Sequence, residues 1–185
     1  MTHNPTGAGK IQNWPIAKTA MLAAISVVLV WLFHFPIFPA APFLEYDPAN
    51  IPILIGAFAY GPLAGILLTL ATSLLQGLTV SAHSGVYGIL MHILSTGTLV
   101  LAAGLCYRRR RTKPAAPRGL FLGIAALVPV MLGANLLVTP LFMGVSREVV
   151  WSLMPVILGF NLLKAGINSA VTFLLYQRIS PLLHK

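Results

Sequence analysis

"GFNLLKAGINS", residues 159–169, places a lysine in the middle of an apolar run. The chain around it is apolar for about one helix, and a charge near the centre of a bilayer costs about 2.5 to 3.5 kcal/mol even on the lenient insertion scale. Lys164 therefore needs a chemical reason, and finding one requires knowing what surrounds it.

Composition decides the class. Of the 185 residues 57% are hydrophobic and only 8% charged, where soluble domains carry about 25% charged residues. Mean hydropathy is +0.87. The acidic residues are Glu45, Asp47 and Glu148, and residues 48–107 carry no formal charge. A soluble fold is excluded. A net charge of +9 would suggest nucleic acid in a soluble protein. Here the basic residues flank apolar spans, which is the pattern that orients membrane proteins, and no nucleic-acid partner is expected. The single Cys106 can form no internal disulfide.

Six apolar segments follow one another. The first runs from about Pro15 to Phe35, and it is longer than a signal-peptide core and is followed by further spans. A Pro-rich loop, "FPIFPAAPFLEYDP", comes next, and its prolines forbid a regular helix. The second segment, about Ala49 to Tyr60, is short. The third runs from Gly61 to about Leu78, with Pro62 suited to its first turn. The fourth covers about Val86–Tyr107, the fifth Arg118–Leu141 and the sixth Pro155–Tyr176. No β-barrel alternation is present, so the expected fold is an all-α, six-transmembrane-helix bundle. Residues 1–14 are expected to be a flexible cytoplasmic tail, 15–178 the membrane domain and 179–185 a second cytoplasmic tail.

Charge supports the span count. Lys10 and Lys18 precede the first span, "RRRRTK" and Arg118 join the fourth to the fifth, and Arg178 and Lys185 follow the sixth. Six crossings put all of these on one side, so the positive-inside rule places both termini in the cytoplasm. The three acidic residues then share the outer side.

In this scheme Lys164 lies about 13 Å into the sixth span, at 1.5 Å per residue. Asn161, Lys164 and Asn168 fall on one helical face. Asn168 is read as a hydrogen bond between helices. Lys164 finds no acidic residue inside any span, so a binding role is favoured over ion pairing, and its removal should leave folding intact. Asn135, in the fifth span, is a second deep amide that could face the same cavity. His83 and His92 have no acidic or cysteine companion in their segments, so no metal site is expected. His92 is read as a packing residue, with a pocket role left open. "GAGK" at residues 7–10 lacks the glycine and the strand of a phosphate-binding loop.

The segments "FLEYDPANIPILIGAFAYGPLAG", "GANLLVTPLF" and "GFNLLKAGINS" resemble the riboflavin-binding S components of energy-coupling factor (ECF) transporters, in order and spacing over nearly the whole chain. The resemblance implies a membrane-embedded, non-enzymatic subunit of the prokaryotic cell membrane. Such a subunit captures riboflavin from outside and delivers it through a transmembrane coupling subunit driven by two cytoplasmic ATPases. Riboflavin is cargo there, and no cofactor is implied. Carried onto this chain, Asn135, Asn161 and Lys164 hydrogen-bond the vitamin, and Leu44 adds a backbone or apolar contact. Small residues on the first helix, Ala20 and Ala24, would dock the coupling subunit, with packing inside the bundle as their other reading. "GPLAG", with Gly61 and Gly65, is read as internal packing. Asn50 stands where the family more often has an acidic residue and is read as the helix cap. Two alternatives stay open: an S component for another vitamin or nucleobase-like compound, and a membrane-embedded enzyme. The enzyme would need a base or nucleophile within the spans, and no Asp or Glu is there.

Overall fold

The computed structural model describes residues 16–110 and 115–183. The expected tail at 1–14, the "GAGK" stretch and Arg111–Lys113 of the basic run lie outside them. Seven helices are present among the described residues: α1 (Ile16–Leu32), α2 (Asn50–Tyr60), α3 (Pro62–Leu78), α4 (Gly85–Arg110), α5 (Ala115–Met143), α6 (Arg147–Ser152) and α7 (Met154–Leu183). The apolar segments become helices because in lipid every backbone polar group must be satisfied within its own segment. The long helices α4, α5 and α7 are long and apolar enough to cross a membrane, whereas α1, α2 and α3 are shorter.

Burial is inverted relative to a water-soluble protein. Large apolar side chains such as Ile16, Trp31, Leu78, Val86, Phe121 and Leu141 face outward, while Ser26, Thr69, Thr72, Ser73, Asn135, Asn161 and Asn168 are buried. Lipid solvates the former, and the latter must find partners inside.

Local chemistry sets the turns. Gly61 adopts φ 99° between α2 and α3, a conformation open to glycine at little cost, and Pro62 starts α3. Gly65 serves packing, since a Cβ there would press on Ala57 and Val100. The expected internal use of "GPLAG" therefore divides, with Gly61 making the turn and Gly65 the close approach.

Four features depart from the sequence reading. The Pro-rich loop is not wholly irregular, because β1 (Phe35–Pro36) and β2 (Glu45–Tyr46) pair antiparallel as a two-residue ladder. The loop before the last helix contains α6, which carries Glu148. Asn50 does not cap α2. It is the first helical residue, and its Oδ1 accepts from Thr96 Oγ1 at 2.7 Å. The cap-like acceptor is Asp47, whose Oδ1 takes the Ala49 N–H at 3.1 Å. In addition, α7 continues to Leu183, into the stretch assigned to the C-terminal tail.

The two ends of the bundle differ. At one end Phe58, Tyr107 and Tyr176 stack with ring centroids 4.9 to 5.8 Å apart, and the two tyrosine hydroxyls lie 3.2 Å from each other. At the other end the β1–β2 hairpin, α6 and the start of α7 share an apolar cluster of Ala41, Leu44, Val150, Ile157 and Phe160. Glu45 reaches His83, in the 3-10 turn Ala82–Ser84 between α3 and α4, at 3.5 Å.

Candidate functional site: a cavity beneath the hairpin

Beneath that hairpin lies a cavity walled by α3, α4, α5 and α7. Leu44, Asn135, Asn161 and Lys164, all nominated from sequence, line it together. Phe43, Tyr87, Phe142, Phe160 and Met131 supply apolar wall, with the Tyr87 and Phe142 rings 5.8 Å apart.

The amides are anchored to their own helices. Asn135 Nδ2 donates to Met131 O at 2.8 Å, and its Oδ1 accepts from Thr139 at 2.8 Å. Asn161 Nδ2 donates to Ile157 O at 2.8 Å. An amide NH2 has two protons and its oxygen two lone pairs, so each side chain is held in place with hydrogen-bonding capacity to spare. Leu44 uses its N–H on Ala41 O at 3.0 Å, leaving its carbonyl and side chain.

Lys164 is not alone, which corrects the sequence reading. Its Nζ donates to Asp47 Oδ2 at 2.7 Å and to Glu45 O at 3.2 Å. Asp47 belongs to the loop, but the hairpin folds that loop into the bundle until Asp47 is 2% exposed. Burial pushes the Asp47 carboxyl up, but the Lys164 ammonium, then the neighbouring His92 and the Ala49 N–H, outweigh it and hold the group at about 2. The charge penalty is thus met by pairing, as intramembrane charges require. An ammonium has three protons, and two of them are accounted for.

Asn168 takes no part in the cavity wall. Its Nδ2 donates to Asp47 O at 3.0 Å, and its Oδ1 accepts from Tyr46 at 2.9 Å. It ties the hairpin to α7, which refines the expected helix-to-helix bond into a loop-to-helix one. His92 does line the cavity. Its Nδ1 lies 2.7 Å from the Ser73 hydroxyl, which also reaches Thr69 O at 2.6 Å. No group of three or more metal-ligating side chains occurs among the described residues. The face of α1 bearing Ala20 and Ala24 is exposed, and Ala23 packs inward.

Asp47, Gln76, Tyr87 and Phe142 were missed in the sequence. For Asp47 a signal existed, since an intramembrane lysine demands a carboxylate and Asp47 and Glu45 precede the next apolar run. Gln76, a lone amide in an apolar helix, carried the same signal as Asn135.

A lipid-facing bundle with a polar interior and one cavity at its hairpin end is the form of a membrane-embedded substrate-binding protein. The family model of the ECF transporter substrate-specific component matches residues 15–176, and the chain belongs to that family. The riboflavin transporter RibU of Staphylococcus aureus is 28% identical over 181 residues, 94% of each chain. The riboflavin transporter FmnP of Bacillus subtilis is 29% identical over 118 residues, 63% of this chain and 61% of that protein. A solved S component of a bacterial ECF transporter superposes with a TM-score of 0.78 at 28% identity, covering 92% of this chain and 97% of that one. The protein is accordingly a multi-pass transport subunit of the cell membrane, not an enzyme.

Proposed function

We propose that this S component captures riboflavin in the cavity beneath the hairpin. The observation that carries this reading is the convergence of Asn135, Asn161 and Lys164, from two helices, on one cavity with aromatic walls. Isoalloxazine is flat and apolar on its faces, with carbonyl acceptors and an imide N–H on its edge, and the ribityl chain adds hydroxyls. Asparagine both donates and accepts, lysine only donates, and a few fixed polar groups on an apolar wall suit a small molecule. The riboflavin transporters similar to this chain support the same cargo.

Six crossings with both termini cytoplasmic complete the proposal. The Phe58–Tyr107–Tyr176 cluster gathers the ends of α2, α4 and α7 at one end of the bundle, the end that leads into the basic run. Glu45, Asp47, His83 and α6 gather at the other, which supports an outward-facing cavity. Delivery would proceed through a coupling subunit and two ATPases, with the exposed Ala20 and Ala24 face of α1 as the dock. Small residues let helices approach closely. The test is purification in mild detergent, denaturation and identification of the released ligand. Near-stoichiometric riboflavin is expected. A different vitamin or a nucleobase-like compound in its place would overturn the assignment.

A further inference from the structure

Gln76, in the last turn of α3, lines the cavity and is 7% exposed. Its Nε2 faces Asp47 Oδ2 at 3.4 Å and Ser81 Oγ at 3.5 Å. A carboxylate paired with an ammonium can only accept, so the edge turned to Asp47 must be the NH2. The position of Oε1 on the opposite edge follows from that constraint. Oε1 has no hydrogen-bond partner. Tyr60, Thr72 and Ser169 also carry an unpartnered buried oxygen, but among these four residues only Gln76 lines the cavity. A buried acceptor without a donor is costly to keep. Lys164 offers only donors and so cannot satisfy a donor on the ligand.

We infer that Gln76 Oε1 accepts a hydrogen bond from the bound ligand and so determines specificity. This rests on the riboflavin reading, in which the donor is the imide N–H or a ribityl hydroxyl. Asp47 holds both Gln76 and Lys164 through one oxygen, Oδ2. Asp47 therefore links an amide that carries an acceptor to an ammonium that carries donors, and an edge that alternates N–H and C=O calls for both.

The experiment titrates three flavins into the full-length purified protein and into Gln76→Met. These are riboflavin, lumiflavin, which lacks the ribityl hydroxyls, and 3-methylriboflavin, which lacks the imide N–H. Gln76→Met should weaken riboflavin roughly three- to tenfold, the scale of one neutral hydrogen bond. It should leave unchanged the affinity of whichever analogue lacks the donor in question. Equal weakening for all three flavins would make the amide a mere prop for Asp47 and overturn the inference, as would no weakening at all. Parent protein supplies a second arm independent of the variant's folding: at least one analogue must bind more weakly than riboflavin, and if both match it the inference falls. A parent that does not bind riboflavin overturns the underlying reading. A parent that binds beside an indifferent Gln76→Met overturns this inference alone.

Discussion

Lys164 Nζ lies 2.7 Å from Asp47 Oδ2, joining residues 117 positions apart. The bond crosses from the last helix to the base of the hairpin that roofs the cavity. One ion pair therefore does two things: it makes a lysine tolerable inside the bundle, and it fixes the loop that carries Leu44. Double substitution separates the two. Lys164→Met should weaken riboflavin binding by about 1.5 to 3 kcal/mol, the scale of a charged hydrogen bond. It should also destabilise the fold by about 3 to 5 kcal/mol, because it strands a buried carboxylate. Adding Asp47→Asn should restore thermal stability without restoring binding, as read by thermal unfolding in detergent and by titration. A stable Lys164→Met single variant would show that the pair does not hold the hairpin.

Asn135→Ala and Asn161→Ala should each weaken riboflavin by about 0.5 to 1.5 kcal/mol, since neutral hydrogen bonds contribute less than charged ones. Isothermal titration of the purified variants measures this. Parent-like affinity in both would remove the amides from the site.

Acid should loosen the roof. Asp47 sits at about 2 in the folded protein and near 3.9 when unfolded, so its contribution is fully present only above about pH 5. That contribution is lost as pH falls through the folded value. Stability and binding should be flat with respect to this group from about pH 5 to 8, then fall in strong acid. In Asp47→Asn the acid limb should shrink, and an unchanged limb would assign it to other groups.

Topology is open to labelling. In a background lacking Cys106, cysteine at Ser84 or Ser146 should react with an impermeant thiol reagent added to intact cells. Cysteine at Thr112 should react only after the cells are opened. The reverse pattern would invert the proposed orientation.

Docking and capture should separate at α1. Trp at Ala20 or Ala24 would hold a partner helix away, so riboflavin uptake in cells that depend on it should fall. Affinity of the purified variant should stay near the parent's, because these exposed alanines are not among the residues lining the cavity. Retained uptake, or a parallel loss of affinity, would return the alanines to packing inside the bundle.

Much of this protein was legible along the chain because the bilayer makes the decisive constraints local. A backbone in lipid must satisfy its own hydrogen bonds, so each apolar run declares its helix, and α2, α3, α4 and α5 begin and end within a few residues of where composition places them. Asn135, Asn161 and Lys164 were legible for the same reason, since a polar group in an apolar run is conspicuous. The tertiary structure alone decided how those groups are partnered. A two-residue ladder has no periodicity to detect, yet it turns the proline-rich loop inward and carries Asp47 to Lys164. Asn168, conspicuous in its span, proved to hold Tyr46 and the Asp47 backbone instead of a neighbouring helix. Gln76 gains its meaning only from the carboxylate that orients it. Contacts between residues tens of positions apart depend on how the chain closes in three dimensions, which helical and strand periodicity along one segment cannot encode.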